Sequence, residues 1–329
     1  VTPWIAGTGW VTPLGCEAGD VWAKVRAGET ARFEEVAPPW GGRPIGVARV
    51  TEPPPDALAR HPRLRRASGI SLFGATAARA ALEETGRAAD AECGLVFAVS
   101  SGGVIYTRRF FEGILNGGPQ GASPLLFPET VYNAAASHVA AVLGIEGPSC
   151  TVVGDFSVGL TALDTAAGWI RAGRVERCLV VASEEFDPVV AEAYRSWGLG
   201  LSFGEGAAAV LLASEGRSRL AVASGFPYFR RSEAEEALRG ACGAVGTASR
   251  AVVGANGTPF DRLEDRALAA VGGVGERVVL KRALGEAPGA SALMAVVAAE
   301  AWSRAEGGAP VLVTAPGCHA SAGAARVGG

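Results

Sequence analysis

Short apolar runs alternate along this chain with alanine-rich segments whose apolar residues recur every three to four positions. VTPWIAGTGWVTPLG (1–15) reads as a strand breaking into a glycine- and proline-rich loop, and 17–27 as a helix. Residues 34–62 carry PPWGGRP and TEPPPD and are predicted to be largely loop. Residues 68–85 predict a buried helix. CGLVFAVSSGG (93–103) reads as a central strand delivering a loop, followed by a helix over 104–115, a loop over 123–133 and a helix over 133–142. SCTVVG is a strand leading into TVVGDFSVGL (151–160), and the helix after it runs through GWIRAGR. CLVVASEEF (178–186) is the next strand, GEGAAAVLLASEG (204–216) another, and RLAVASGF (219–226) its neighbour. The same alternation continues through AVVGANGTP (251–259), a helix from 263, VVLKRALG (278–285), a helix near 290–305, and VLVTAPG (311–317). The pattern predicts an α/β fold with sheets covered on both faces. No short-period repeat is present, but the similar order of two halves, 1–215 and 216–329, points to an internal duplication.

Composition adds one demand. The chain is 49% hydrophobic and 19% charged, which calls for a large core or a buried subunit interface. No apolar run is long enough to span a bilayer and no signal peptide is read, so the expectation is a cytoplasmic protein without a membrane partner. Six scattered cysteines with no CxxC pair read as reduced thiols, not as a disulfide framework or a zinc site. A net charge of −3 argues against a nucleic-acid partner. The main basic cluster, RHPRLRRAS (60–68), reads as a solvated face or a patch facing phosphopantetheine. GTGWVT lacks the third glycine of a dinucleotide fingerprint.

The candidate chemistry lies in TVVGDFSVGL. A strand running through a tight turn into a helix is a nucleophile elbow in many α/β enzymes, yet this turn carries Phe156 with Ser157 beside it. DFSVG nearly matches G-x-S-x-G, with Asp155 in place of the first glycine. A hydrolase built on Ser157 needs a histidine and an acid, for which His319 with Asp261 or Asp265 can be proposed without any local signature. Cys150, on the incoming strand, reads as a structural cysteine.

Several segments together resemble the β-ketoacyl synthases. They are VTPLG with VWAKVRAGET, SPLLFPETVYNAAASHVAAVLGIEGPSCTV, GWIRAGRVERCLVVASEE and GEGAAAVLLAS. GANGTP resembles that family's histidine-glycine-threonine loop. VVLKRALGEAPGASAL resembles its lysine segment, and VTAPGCHASAGAARV stands where a glycine-phenylalanine-glycine loop lies. The resemblance is strong to about residue 215 and eroded beyond. It implies the thiolase fold: two similar α/β halves in five αβαβα layers, here with the carboxyl-terminal half shortened between 216 and 251. Carried over by position, the family's cysteine falls on Phe156, its first histidine on Asn256 and its second on Glu286. The lysine survives as Lys281. A phenyl ring cannot attack a thioester, and an ionised Glu286 would repel a developing enolate. Lys281 and Glu286, five residues apart, can also be read as a structural pair. The remaining histidines, His61, His138 and His319, occupy no catalytic position.

A ketosynthase framework without these groups resembles the chain-length factor of type II polyketide synthases, including those making reduced polyenes. The resemblance implies a non-catalytic subunit that pairs with an active ketosynthase, meets an acyl carrier protein and shapes the elongation tunnel. No cofactor is implied beyond the carrier's phosphopantetheine. In such heterodimers the helix after SSGG lies at the interface. Tyr106, Arg109, Phe110 and Gly113 fall on one face of it, and with Phe111 they are expected to gate tunnel length. Phe127 and Tyr132 in the next loop are further candidates. The alternatives are a stand-alone acyl-transfer or thioesterase enzyme using Ser157, and a homodimeric scaffold for acyl carrier proteins.

Overall fold

The structure, a computed structural model, describes residues 3–51, 56–90, 92–319 and 321–329. The first two residues and the proline run at 52–55 lie outside it, as does residue 320 in the degenerate carboxyl-terminal loop. Ten strands form one sheet built from two equivalent halves. The first half holds β1 (Trp4–Val11), β2 (Cys93–Val99), β3 (Ser149–Val153), β4 (Arg177–Glu184) and β5 (Gly206–Ala213). The second holds β6 (Ser218–Pro227), β7 (Arg250–Val252), β8 (Glu276–Val278), β9 (Val311–Pro316) and β10 (Ser321–Val327). The strand order is β1-β5-β4-β2-β3 in one half and β6-β10-β9-β7-β8 in the other. In both, the first two pairings are antiparallel and the last two parallel. Trp4 with Arg219 and Ile5 with Ser218 join the halves.

The helices are α1 (Ala18–Arg26), α2 (Gly69–Glu83), α3 (Val104–Gly117), α4 (Ala134–Leu143) and α5 (Val158–Arg171). There follow α6 (Pro188–Ser196), α7 (Ala234–Val245), α8 (Phe260–Val271), α9 (Leu280–Leu284) and α10 (Ser291–Ala305). α5 and α10 touch each other and pack against both half-sheets, forming the central layer. α2 and α4 cover the outer face of the first half, and α7 and α8 that of the second. The layers therefore run αβαβα. Burial on both faces explains why β2, β5 and residues 178–182 of β4 read as unbroken apolar runs: every residue in these strands is buried. The two glycines of GTG serve packing: a Cβ on Gly7 would lie 2.1 Å from the Ala81 carbonyl oxygen, and one on Gly9 2.2 Å from that of Ala77. They let α2 press onto β1.

One expectation is refined and two need correction. The stretch 34–62 is loop for most of its described length, but it holds two short strands and a helical turn at Asp56–Ala59. Phe33–Val36 and Ile45–Ala48 pair antiparallel, and Phe203–Gly204 completes a small second sheet. β5 and β6 are not neighbours, because β1 lies between them. VVLKRALG is a strand only to Val278; its second half is α9. Helix α6 is an unpredicted element, opened by Asp187, whose carboxylate accepts the Val189 N–H at 2.8 Å, and by Pro188 in its first turn.

Candidate functional site

The strand β3 ends at Val153, residues 154–157 make the turn, and α5 begins at Val158. Phe156 is buried in that turn. Its ring stacks on Tyr194 with centroids 5.4 Å apart and planes at 23°. The Lys281 ammonium lies 5.2 Å from the centroid. The site where a nucleophile would stand is filled by a packed aromatic ring.

The structure brings Asn256, Lys281 and Glu286 together around one oxygen. Lys281 Nζ lies 2.7 Å from Glu286 Oε2, and Asn256 Nδ2 donates to the same atom at 2.7 Å. Lys281 also donates to the Gly254 carbonyl at 3.0 Å. Glu286 is buried and the Lys281 side chain nearly so, and Glu286 Oε1 has no hydrogen-bond partner among the described residues. Asp261 accepts the backbone N–H groups of Asn256 and Gly257 and fixes their loop. These residues line a cavity of about 310 Å³ with Phe33 and Ser202.

A larger cavity of about 740 Å³ opens on the other flank of the elbow, lined by Tyr132, Val153, Asp155, Ser157, Trp197 and His319 among others. Tyr194 belongs to its wall and Lys281 to that of the smaller cavity, so Phe156 stands between the two. A depression of about 1020 Å³ at the opposite end of the sheet, near Thr85, Arg174 and Ser214, holds none of these groups.

The structure does not assemble a hydrolase around Ser157. The hydroxyl donates to Asp155 Oδ1 at 3.1 Å and shares a 3.1 Å hydrogen bond with Ser321 Oγ. The His319 ring stands edge-on to Trp197, centroids 4.5 Å apart. Asp261 is engaged as above, and Asp265 pairs with Arg277 at the surface. Cys150 is half-buried with its thiol pushed up by burial, which suits a structural cysteine. His138 pairs with Glu129 at 2.8 Å, and His61 lies in the basic turn.

Helix α3 has no buried residue. Tyr106 donates to the Arg66 carbonyl at 2.8 Å, and the Arg109 guanidinium lies over the Tyr106 ring. Phe110 packs against Phe111 and Phe127, at 6.0 and 5.8 Å between centroids. Gly113 backs onto Gly121, whose carbonyl oxygen would stand 2.6 Å from a Cβ there. Of the seven gate candidates, Tyr132 alone reaches the larger cavity. Phe111, Leu115, Leu125, Phe127, Tyr132 and Val153 form an exposed apolar surface beside β3, an edge strand.

Two buried acids gave no signal in the sequence. Glu184 accepts the N–H groups of Ser100, Ser101 and Gly289, tying the loop after β2 to the start of α10. Glu264 accepts the Gly254 N–H at 2.7 Å and the Thr314 hydroxyl, holding the loop that carries Asn256. Burial pushes each carboxyl up to about 7. Both sit in helix or strand patterns that point to none of the loops they meet. Among the described residues no cluster of histidine, cysteine or acid could hold a metal ion, and no helix is long and apolar enough to cross a membrane.

Residues 4–217 match the family model of the β-ketoacyl synthase amino-terminal domain. The chain spans about half the length of the curated relatives it matches. One of them, the 3-oxoacyl-[acyl-carrier-protein] synthase 2 of Coxiella burnetii, is 25% identical over 175 residues, 50% of this chain and 41% of that protein. Among solved structures, the ishigamide ketosynthase/chain length factor superposes with a TM-score of 0.86 at 22% identity, covering 99% of both chains. A ketosynthase in complex with its chain length factor from Xenorhabdus doucetiae gives 0.80 at 14% identity, over 99% of this chain and 98% of that one. These likenesses establish the thiolase fold. The family match extends through the elbow and across the whole first half-sheet, and on it the chain belongs to the β-ketoacyl synthase family.

Proposed function

We propose that this chain is a non-catalytic chain-length factor that pairs with an active ketosynthase and shapes the tunnel in which the acyl chain grows. The observation that carries the reading is the elbow. A buried phenyl ring fills the nucleophile position, and of the groups at the two histidine positions Asn256 donates to Glu286, which also pairs with Lys281. Thioester exchange and malonyl decarboxylation need a thiolate and free donors for developing negative charge. Here the donors are consumed internally and a carboxylate stands among them.

The exposed apolar surface of α3 and the following loop, next to the open edge of β3, supports an obligate partner. Exposed Arg63, Arg65 and Arg66 adjoin α3 through Tyr106 and suit the phosphate of a carrier protein's phosphopantetheine arm. On this reading the face of Tyr106, Arg109, Phe110 and Gly113 gates tunnel length across the interface. Co-expression with its cognate ketosynthase is expected to give a stable 1:1 complex by size-exclusion chromatography with light scattering. Two separate chains, with ketosynthase turnover unaffected, would overturn the reading.

A further inference from the structure

The elbow carries a second substitution, next to the missing nucleophile. Asp155 is 8% exposed. Its Oδ1 accepts the Ser157 N–H at 3.2 Å and the Ser157 hydroxyl at 3.1 Å. Its Oδ2 accepts the N–H of His319, which arrives on the loop between β9 and β10. The neighbouring Cys318 thiol is hydrogen-bonded to the same carboxylate, and burial together with Asp155 pushes that thiol up. A Cβ at position 317 would stand 2.7 Å from both carboxylate oxygens, so the glycine there leaves room for the anion. The Ser157 amide opens a 14-residue helix, so the positive helix end and the facing loop converge on one point. Backbone donors in that arrangement serve the developing oxyanion in acyl-transfer chemistry.

We infer that Asp155 is a built-in anion that occupies the backbone donors of Ser157 and His319, clamps Gly317–His319 onto α5, and closes the site to acyl chemistry independently of Phe156. The inference rests on the non-catalytic reading and adds a second lock to it. A thiol at position 156 would stand one residue from this carboxylate. It would also face Tyr194 from α6, and Lys281 with Glu286 from the second half. Lys281 would favour a thiolate but is committed to Glu286, while Asp155 opposes one.

The test is alkylation of the full chain by iodoacetamide at pH 8, followed peptide by peptide by mass spectrometry because native cysteines also react. The thiolate displaces iodide, a carbon–sulfur bond forms, and the thiol proton passes to solvent. Phe156→Cys is compared with Phe156→Cys combined with Asp155→Asn or Asp155→Ser. Either double variant is expected to label at position 156 about tenfold faster than the single variant. Equal rates would overturn the proposal. Circular dichroism reports folding. If neither double variant folds, deuterium exchange at the His319 amide of the unaltered chain decides: protection supports the clamp, and exchange at the rate of an unstructured loop overturns it. Loss of the 1:1 complex with a ketosynthase would refute the heterodimer reading instead and leave these rates to be judged alone.

Discussion

Removing either member of the Lys281–Glu286 pair tests whether the pair braces the site. The two charges lie 2.7 Å apart with side chains 9% and 1% exposed. Their attraction at that distance is ~6 kcal/mol for an effective dielectric of ~20, offset by the desolvation of both ions. Lys281→Met leaves Glu286 with the Asn256 amide alone and an Oε1 that already lacks a partner. Glu286→Leu leaves the ammonium with only the Gly254 carbonyl and the Phe156 ring beside it, neither of them a counter-ion. Each single change is expected to cost ~3–5 kcal/mol, because a buried charge loses its counter-ion. The double variant removes both charges and is expected to cost less than either, giving a coupling of at least ~3 kcal/mol. Urea unfolding followed by fluorescence of the seven tryptophans gives the four free energies of the cycle. Single losses under ~1 kcal/mol that simply add in the double variant would show that solvent, not the partner, satisfies these ions.

Glu184 and Glu264 make stability pH-dependent, because each holds its proton to about 7 when folded against a reference of 4.5. The folded chain binds more protons between those values, so stability falls as pH rises from about 4.5 to about 7 and then levels, by up to ~1.4 kcal/mol per pH unit for each group. Glu264→Gln should remove its share of that slope; an unchanged slope in denaturant titrations would contradict the assignment. In the heterodimer, Phe110→Ala frees the space its ring holds against Phe111 and Phe127 and should lengthen the products read by mass spectrometry. Unchanged length would remove α3 from the gate.

The long elements were legible because each is buried on a continuous face. β2 and β5 are apolar throughout, β4 is apolar over 178–182, and α2 shows small residues at helical spacing. The short ones were not. Phe33–Val36 and Ile45–Ala48 are held by one four-residue ladder amid prolines, too little for period 2 to emerge. Helix α6 had a readable signal in Asp187-Pro188, a cap followed by a first-turn proline. At the site, the elbow and the identity of its central residue were legible from the local pattern. The Asp155 clamp was not, since its partners Cys318 and His319 lie more than 160 positions away and meet it only because β10 returns beside β6.

The replacements at the site are mutually fitted. A decayed active site would leave a void where sulfur was lost and a lysine without its counter-ion. Here the elbow is filled by a ring stacked on Tyr194, and Lys281 is paired with Glu286. Asn256 joins that glutamate, and Asp155 satisfies the elbow amides. Interiors tolerate neither voids nor lone charges cheaply, so these four residues are held in place by packing and pairing with one another and their neighbours. Single exchanges strand neighbours: Glu286→His would deprive Lys281 and Asn256 of their shared oxygen, and Phe156→Cys would leave the Tyr194 face bare. On the function proposed above, a stable elbow of fixed shape with chemistry supplied elsewhere accounts for all four together.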